Sequence, residues 1–451
     1  MTQISQLTRF GLFDARVPRY TSYPTAPHFS SGVGPAQMTD WIGAIPVGAQ
    51  ISLYVHVPFC RRLCWFCACR TQGTQSEDPV RSYAATLAQE IALLKSSLPS
   101  GVTLSRLHWG GGTPTLLPVD AMAQLCENIL DATPLAPDAE FSVEIDPNEI
   151  DEPRLDVLVA YGMNRASIGV QDFDPEIQKT IGREQSYEVT KRAVDMIRAR
   201  NVASLNTDIL YGLPHQTPSR IATSVQKLLC LSPDRVALYG YAHVPLLARR
   251  QQLIPENLLP SPRERLELFE TAQALFTADG YGQIGIDHFA RHTDSLAVAA
   301  NTGRLRRNFQ GYTDDRAPIL IGIGASAISR FPQGYAQNAP ATSAHVKKIQ
   351  SNAFSVSRGH TFSPEDRLRG RMIEALMCDF KIGSAEILAD FDITPKRLHD
   401  LFDQTAQTFG PMVKITPDGF YILEEGRHLT RMIARTFDAY DLAGSSHSTA
   451  V

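Results

Sequence analysis

The sequence predicts an α/β fold: a partial, TIM-like (β/α)6 barrel with an N-terminal arm and a mainly helical C-terminal domain. Three observations predict it. From about residue 50 to 280, short β-rich runs alternate with helical periods, the pattern of parallel strands joined by right-handed crossovers. Polar or Gly-rich residues follow nearly every run, as in HVPFC, GGGTP, EIDP, QDF, DILYGLP and YAHVP, which suits a barrel whose loops converge on one mouth. After about residue 360 the strand–helix alternation stops.

Four segments follow from this reading. Residues 1–45 contain RYTSYPTAPHF, rich in Pro and Tyr and without periodicity, which reads as an ordered arm and not a domain. Residues 46–280 hold the barrel, with strands expected at 51–57, 104–109, 140–145, 165–170, 204–210 and 235–240. Helical periods lie between them, at 80–97, 121–130, 187–200 and 218–231. Residues 281–360 read as a barrel extension carrying part of the substrate site, and 361–451 as the C-terminal domain. There, Ser363-Pro364-Glu365-Asp366 is a helix start, with Ser as N-cap, Pro first and acids in the first turn. Further helices and a hairpin at 413–423, turning at Pro417-Asp418-Gly419, give it the order of a winged helix.

Composition excludes several classes of function. The chain has 451 residues, about three domains' worth, with 43% hydrophobic and 20% charged residues, enough to bury a large core. Its 43 Lys and Arg against 47 Asp and Glu leave a net charge of −4, no basis for neutralising nucleic-acid phosphates. Over Phe362–Tyr440 the winged-helix-like region carries 10 basic and 13 acidic residues, so it reads as a packing or lid domain. No apolar run reaches the 18 residues of a membrane span, and the N-terminus has no basic stretch leading into an apolar one. A cytoplasmic protein is expected, and a monomer, since no exposed heptad is evident.

Seven cysteines stand at 60, 64, 67, 69, 126, 230 and 378, four of them within ten residues. A disulfide framework is implausible in a cytosolic chain of this size. Cys126, Cys230 and Cys378 lie in apolar helical contexts and read as small buried hydrophobes. Cys60, Cys64 and Cys67 form C-x3-C-x2-C directly after the first strand. Three thiolates on so short a loop can hold three irons of a cubane [4Fe–4S] cluster and leave the fourth iron without a protein ligand. The alternative is structural zinc, which wants four N or S ligands; Cys69 is a candidate for the fourth, although no second C-x2-C unit follows.

The cysteine spacing resembles that of the radical S-adenosylmethionine (radical SAM) superfamily, and further stretches narrow the resemblance. They are RYTSYPTA, Tyr54-Val55-His56-Val57-Pro58-Phe59-Cys60, His108-Trp109-Gly110-Gly111-Gly112-Thr113-Pro114, Gly169-Val170-Gln171-Asp172-Phe173 and Asp208-Ile209-Leu210-Tyr211-Gly212-Leu213-Pro214. Tyr241-Ala242-His243, Asp287-His288-Phe289-Ala290 and Arg307-Asn308-Phe309-Gln310-Gly311-Tyr312 belong with them. Together they resemble the oxygen-independent coproporphyrinogen III oxidases, a heme-pathway family, from about residue 16 to the C-terminal domain.

The resemblance implies a radical SAM barrel, a cluster on Cys60, Cys64 and Cys67, and two SAM molecules, one completing the fourth iron. Positions matching the first SAM's contacts are Tyr54, Gly111, Glu144 and Ile328. Those matching the second are Phe66, Gly112, Thr113, Gln171, Arg183, Asp208 and Ala242. The implied substrate is coproporphyrinogen III. A 5′-deoxyadenosyl radical takes a hydrogen from a propionate β-carbon, and loss of CO2 and one electron leaves a vinyl, on two side chains in all. A reduced flavodoxin- or ferredoxin-type donor and an unidentified electron acceptor are implied partners.

Residue chemistry agrees with these positions. Glycines after a strand admit close approach of a ligand. Glu144 and Asp208 can accept hydrogen bonds at the mouth, Phe66 can stack on an adenine, and Arg183 can pair with a carboxylate. Taken singly, Arg183 reads as a solvated helix-end arginine, and for His56 the alternative to a role at the cluster is a satisfied core side chain. Arg19, Arg291 and Arg307 are candidate propionate anchors, His56 a candidate partner of a cluster sulfur or electron relay, and Tyr20 and Tyr23 candidates to close over the substrate. Tyr54, His56, Arg19 and Tyr20 are the candidate catalytic side chains. The family's Cys-Tyr-Phe-Cys-Gly-Cys-Asn is here Cys64-Trp65-Phe66-Cys67-Ala68-Cys69-Arg70, and Ala68 would cost roughly 1 kcal/mol if its position required positive φ. Competing readings are a radical SAM-type heme chaperone, which lacks the RYTSYPTA arm, and a different tetrapyrrole-acting radical SAM enzyme.

Overall fold

The computed structural model describes residues 3–440 and Ala450. The expected C-terminal domain therefore extends beyond them, its positions 441–449 and Val451 lying outside the described residues. All six expected barrel strands form: β1 (Gln50–Val57), β2 (Thr103–Gly111), β3 (Leu135–Ile145), β4 (Arg165–Gln171), β5 (Ser204–Tyr211) and β6 (Arg235–Gly240). They pair in chain order and all in parallel. Helices cover their outer face, where Leu53, Val55, Leu107, Trp109, Phe141 and Val143 are buried, while Tyr54, His108, Ser142 and Glu144 alternate onto the inner face. Val80, Leu87, Ile91 and Leu94 of the helix Asp78–Ser97 belong to the same core as Leu53, Val55, Trp109 and Phe141.

The sheet runs further than six units. β7 (Leu320–Ile323) adds a seventh parallel strand on the free side of β1, placing Gly322 opposite Tyr54. Antiparallel strands Ile328–Phe331, Gly334–Asn338 and Val356–Thr361 continue from it, while His288–Ala290 and Gly282–Ile284 extend the β6 edge. Apart from a separate two-stranded ladder of Arg306–Asn308 with Gly311–Thr313, the strands of 281–360 thus belong to the barrel's own twelve-stranded sheet, which stays open at both ends. A four-residue apolar run such as Leu320–Ile323 has no alternation to mark it as a strand.

The C-terminal domain has its own core. The helices Pro364–Asp379, Ser384–Asp390 and Pro395–Phe409 pack on a three-stranded sheet of Lys381–Gly383, Gly419–Ile422 and Val413–Thr416, in winged-helix order. Ser363 caps its helix as expected, in a reciprocal box with Asp366. The arm joins this second core through Leu7, Leu12, Tyr20 and Tyr23. The Tyr20 hydroxyl donates to Asp438 Oδ2 at 2.9 Å, and that of Tyr23 accepts from the Ala439 N–H at 2.9 Å. These two tyrosines clamp the arm to the C-terminal domain instead of closing over the barrel mouth, which corrects the catalytic assignment of Tyr20.

Cys126 and Cys378 are buried as expected, but Cys230 is exposed. The buried stripe of its helix runs through Ile221, Ser224, Val225 and Leu228, and Cys230, at the C-cap, falls off that face.

At the start of β6, Arg235 makes a two-pronged contact with Asp294 at 2.8–3.1 Å, both side chains 3% exposed. Asp294 also caps the helix Ser295–Asn301. Asp294→Ala leaves a buried guanidinium unpaired and is expected to cost about 3–5 kcal/mol, read as a lower urea midpoint for loss of the barrel.

Candidate active site

The C-terminal ends of β1 to β6 converge on one mouth, and the cysteine loop enters it directly after β1. A short parallel ladder of Phe59–Cys60 with Gln72–Gly73 closes the base of this loop. Cys60, Cys64 and Cys67 are half-buried and Cys69 is exposed; all four are free thiols. Trp65 docks the loop on the barrel: its backbone N–H donates to Ile181 O at 2.9 Å and its ring lies on Gly182. Gly182 has φ +66°, and a Cβ there would come within 2.8 Å of the indole. On the other side, Gln251 Nε2 donates to Phe66 O at 2.8 Å and to Ala242 O at 3.0 Å, tying the loop to the segment after β6. Arg250 donates to Cys69 O at 3.2 Å. Ala68 is not among the described residues with positive φ, so its methyl carries no backbone cost.

Strand register assembles the first group of side chains. Tyr54 of β1 lies opposite His108 of β2, which lies opposite Ser142 of β3. The Tyr54 and His108 rings stack with centroids 5.7 Å apart, and His108 Nε2 is 3.3 Å from Glu144 Oε1. Glu144 Oε2 accepts from the Gly111 N–H at 3.1 Å. Burial pushes the Glu144 pKa up, but His108 and the Gly111 N–H outweigh it and hold the carboxyl below its usual range. Ile328 borders this group, since its carbonyl lies over Gly322, the β7 residue opposite Tyr54.

His56 differs from expectation. Its Nδ1 is 3.0 Å from the Tyr54 hydroxyl and its Nε2 is 3.3 Å from Arg70 O. Both nitrogens are therefore taken, Nε2–H donating to Arg70 and Nδ1 accepting from Tyr54, and burial lowers the pKa. No ring nitrogen remains for a cluster sulfur; His56 tethers the returning end of the cysteine loop. Gly111 makes room for it, with φ +110° and a Cβ position 2.5 Å from the imidazole. At that position the space above the glycine tract is filled by the protein's own side chain.

A second group sits across the mouth. Arg183 is not a solvated helix-end side chain. Its guanidinium donates to Cys64 Sγ at 3.4 Å and to Gly169 O at 2.9 Å, with Asp146 3.6 Å away. Burial opposes its charge, but Asp146 and the Cys64 sulfur outweigh that and raise its pKa. Its Nε is buried without a hydrogen-bond partner. Gln171 has φ +69° beside a register shift in the β4–β5 ladder, which turns its side chain toward Gly169 and Arg183. Asp208, at the end of β5, accepts from Asn206 Nδ2 at 2.9 Å, and burial raises it to about 7. Gly112 and Thr113 follow β2 directly, and their N–H groups donate to Val57 O and Phe59 O, behind Cys60.

The residues fit a cluster and a charged cosubstrate. Three half-buried thiols face a guanidinium with an unused N–H, between an ionised carboxylate and a protonatable one. Among the described residues no three His, Cys, Asp or Glu side chains converge as a single ion would need, whereas a cubane takes its thiolates at separate iron corners.

A cavity of 370 Å³ adjoins the mouth, lined in part by Arg19, Tyr239, Gly240, Asp287 and Arg307. Arg19 donates to Gly240 O at 2.6 Å, and Arg307 lies over the Tyr312 ring with its Nε and Nη1 buried and unpartnered. Arg291 is elsewhere. It binds Asp279, and its N–H donates to Asp234 O just ahead of β6, at the end of the strand remote from the mouth. That removes it from the candidate anchors. Sequence reasoning quoted His108 and Asp287 in motifs without giving them roles and missed Gln251. For His108 strand alternation was a usable signal, since it shares a face with Gly110.

The family model described as the radical SAM superfamily matches residues 54–228. The chain is 67% identical over 451 residues, the whole of both chains, to the oxygen-independent coproporphyrinogen III oxidase of Paracoccus denitrificans (strain Pd 1222). It is 38% identical to the protein of the same name from Escherichia coli (strain K12), over 94% of this chain and 93% of the other. A solved structure of coproporphyrinogen III oxidase (HemN) from Escherichia coli, described as a radical SAM enzyme, superposes with a TM-score of 0.90 at 35% identity, covering 95% of this chain and 100% of that one.

Asp208 yields a pH prediction. A carboxyl ionising near 3.8 in the unfolded chain and about 7 in the fold contributes stability that is full below pH about 4 and is lost as pH rises through 7. Asp208→Asn removes that dependence. Its melting temperature is expected to gain on the parent's from about pH 4 to 7 and to level off above; parallel curves would refute the assignment.

Proposed function

The chain belongs to the oxygen-independent coproporphyrinogen III oxidases of the radical SAM superfamily, and we propose that it converts two propionates of coproporphyrinogen III to vinyls, giving protoporphyrinogen IX. The observation that carries the reading is the docked loop of Cys60, Cys64 and Cys67 facing Arg183 at the barrel mouth. Bound there, a [4Fe–4S] cluster with SAM supplies reductive cleavage of the sulfonium and hence a hydrogen-abstracting radical.

The chain's own groups bind and orient. Glu144, held ionised by His108 and the Gly111 N–H, suits an ammonium or ribose hydroxyls of a first SAM bordered by Tyr54 and Ile328. Tyr54 stays a neutral phenol, since burial raises its pKa well above the usual value. A second SAM would meet Phe66, Gly112, Thr113, Gln171, Asp208 and Ala242, with the unused Nε of Arg183 available to its carboxylate. Two SAM per product match two vinyl groups. Arg19 and Arg307 remain as propionate anchors. A low-potential flavodoxin- or ferredoxin-type protein supplies electrons, and an unidentified acceptor takes the last one from each substrate radical. No helix among the described residues is long and apolar enough to cross a membrane, in keeping with work in the cytoplasm. The RYTSYPTA arm and Cys69 favour this reading over a heme chaperone.

Anaerobic incubation with coproporphyrinogen III, SAM and a reductant should yield 5′-deoxyadenosine and a tetrapyrrole lighter by two CO2. Heme binding without turnover would overturn the reading in favour of the chaperone. Cys60→Ala, Cys64→Ala and Cys67→Ala are each expected to abolish turnover and lower bound iron and acid-labile sulfide, whereas Cys230→Ala leaves all three unchanged.

A further inference from the structure

The cavity beside the mouth has an unusual charge arrangement. Arg19 and Arg307 reach it from the N-terminal arm and from the segment after the barrel, and no carboxylate among the described residues lies within 4.0 Å of either guanidinium. Arg307 is 9% exposed and keeps two unpartnered N–H groups. Buried cations in that state are costly unless something anionic completes them. Asp287 lies in the same cavity. His288 Nδ1 holds its Oδ1 at 2.7 Å, while Oδ2 makes no hydrogen bond among the described residues. Burial pushes Asp287 up, yet His288, Arg307 and Arg19 together hold it below the usual carboxylate range. Beside these two cations the cavity thus offers Asp287 Oδ2 as an open acceptor, between the rings of Tyr211, Tyr239 and Phe269, while Glu270 and Glu424 also line it.

A ligand complementary to this has carboxylates at its rim, N–H donors at its centre and flat apolar units between them. We infer that the cavity seats the tetrapyrrole, with Arg19 and Arg307 taking propionate carboxylates and Asp287 Oδ2 accepting hydrogen bonds from pyrrole N–H groups. The inference rests on the proposed function and adds Asp287 as a residue that selects the reduced macrocycle. A porphyrinogen presents four pyrrole N–H donors on a puckered ring, and the oxidised porphyrin only two on a flat one. Tyr239, hydrogen-bonded to His288 Nε2 at 3.4 Å, lies within electrostatic reach of Asp208 and Glu144, so this seat borders the candidate SAM contacts.

The test uses anaerobically purified holoenzyme and two probes: KM for coproporphyrinogen III, and equilibrium binding of the stable tetracarboxylate coproporphyrin III followed by its fluorescence. Arg19→Gln and Arg307→Gln are expected to weaken coproporphyrin III binding about tenfold or more, the scale of a lost charge-assisted hydrogen bond, with Arg307→Lys recovering part. Asp287→Asn is expected to raise KM for coproporphyrinogen III by a similar factor while weakening coproporphyrin III less, and Asp287→Glu to recover part of the loss. Arg291→Gln, remote from the mouth, should match the parent on both probes. Iron content and circular dichroism verify that each variant is folded; if Arg307→Gln is not, Arg307→Lys and Arg19→Gln decide. A parent that turns over coproporphyrinogen III beside variants with unchanged KM and affinity overturns the seat and leaves the activity standing. A parent that neither binds coproporphyrin III nor decarboxylates coproporphyrinogen III overturns both.

Discussion

Parallel register between β1, β2 and β3 is the constraint on which the mouth depends. It sets Tyr54, His108 and Ser142 side by side and leaves Glu144, one alternation further along β3, facing the turn at Gly111. A slip of one residue in any of these strands would send the set to the opposite face. The apolar outer faces of the strands resist such a slip, because it would remove Leu53, Val55, Trp109 or Val143 from the core in which they now pack. The cysteine loop inherits this order. His56 ties its returning end, Trp65 seats it on Gly182, and Gln251 holds it from the β6 side.

Two carboxylates at the mouth are driven to different protonation states by their surroundings. Glu144 has a backbone N–H and an imidazole, and stays ionised although partly buried. Among the described residues Asp208 has only the Asn206 amide within hydrogen-bonding distance, while the charge on Glu144 adds to the effect of burial. The difference is one of local donors, not residue type. It gives the mouth a fixed anionic side and a side whose charge a bound cation can set.

The arm and the C-terminal domain act as one body against the barrel. Tyr20 and Tyr23 anchor the arm to that domain, and Arg431 donates to the carbonyls of Val17 and Pro18, immediately ahead of Arg19. Arg19 then reaches the barrel at Gly240. A tyrosine pair that looked like a substrate lid is the fastening that presents the neighbouring arginine. The domain of winged-helix order shares its core with the arm and carries a surplus of acidic residues.

Local patterns determined what depends on nearby residues: six strand runs and their helices, the Ser363 cap, the hairpin at Gly419, and three cysteines close enough in sequence to share a cofactor. Those features need only periodicity, capping and short loop spacing, which neighbouring residues encode directly. The tertiary structure alone decided the seventh parallel strand, the exclusion of Arg291, the burial of Arg183 against Cys64, the exposure of Cys230 and the capture of both His56 nitrogens. Each of these turns on which distant segments meet, and at what register and depth. Sheet order and desolvation arise from the packed whole, so no window of sequence carries them.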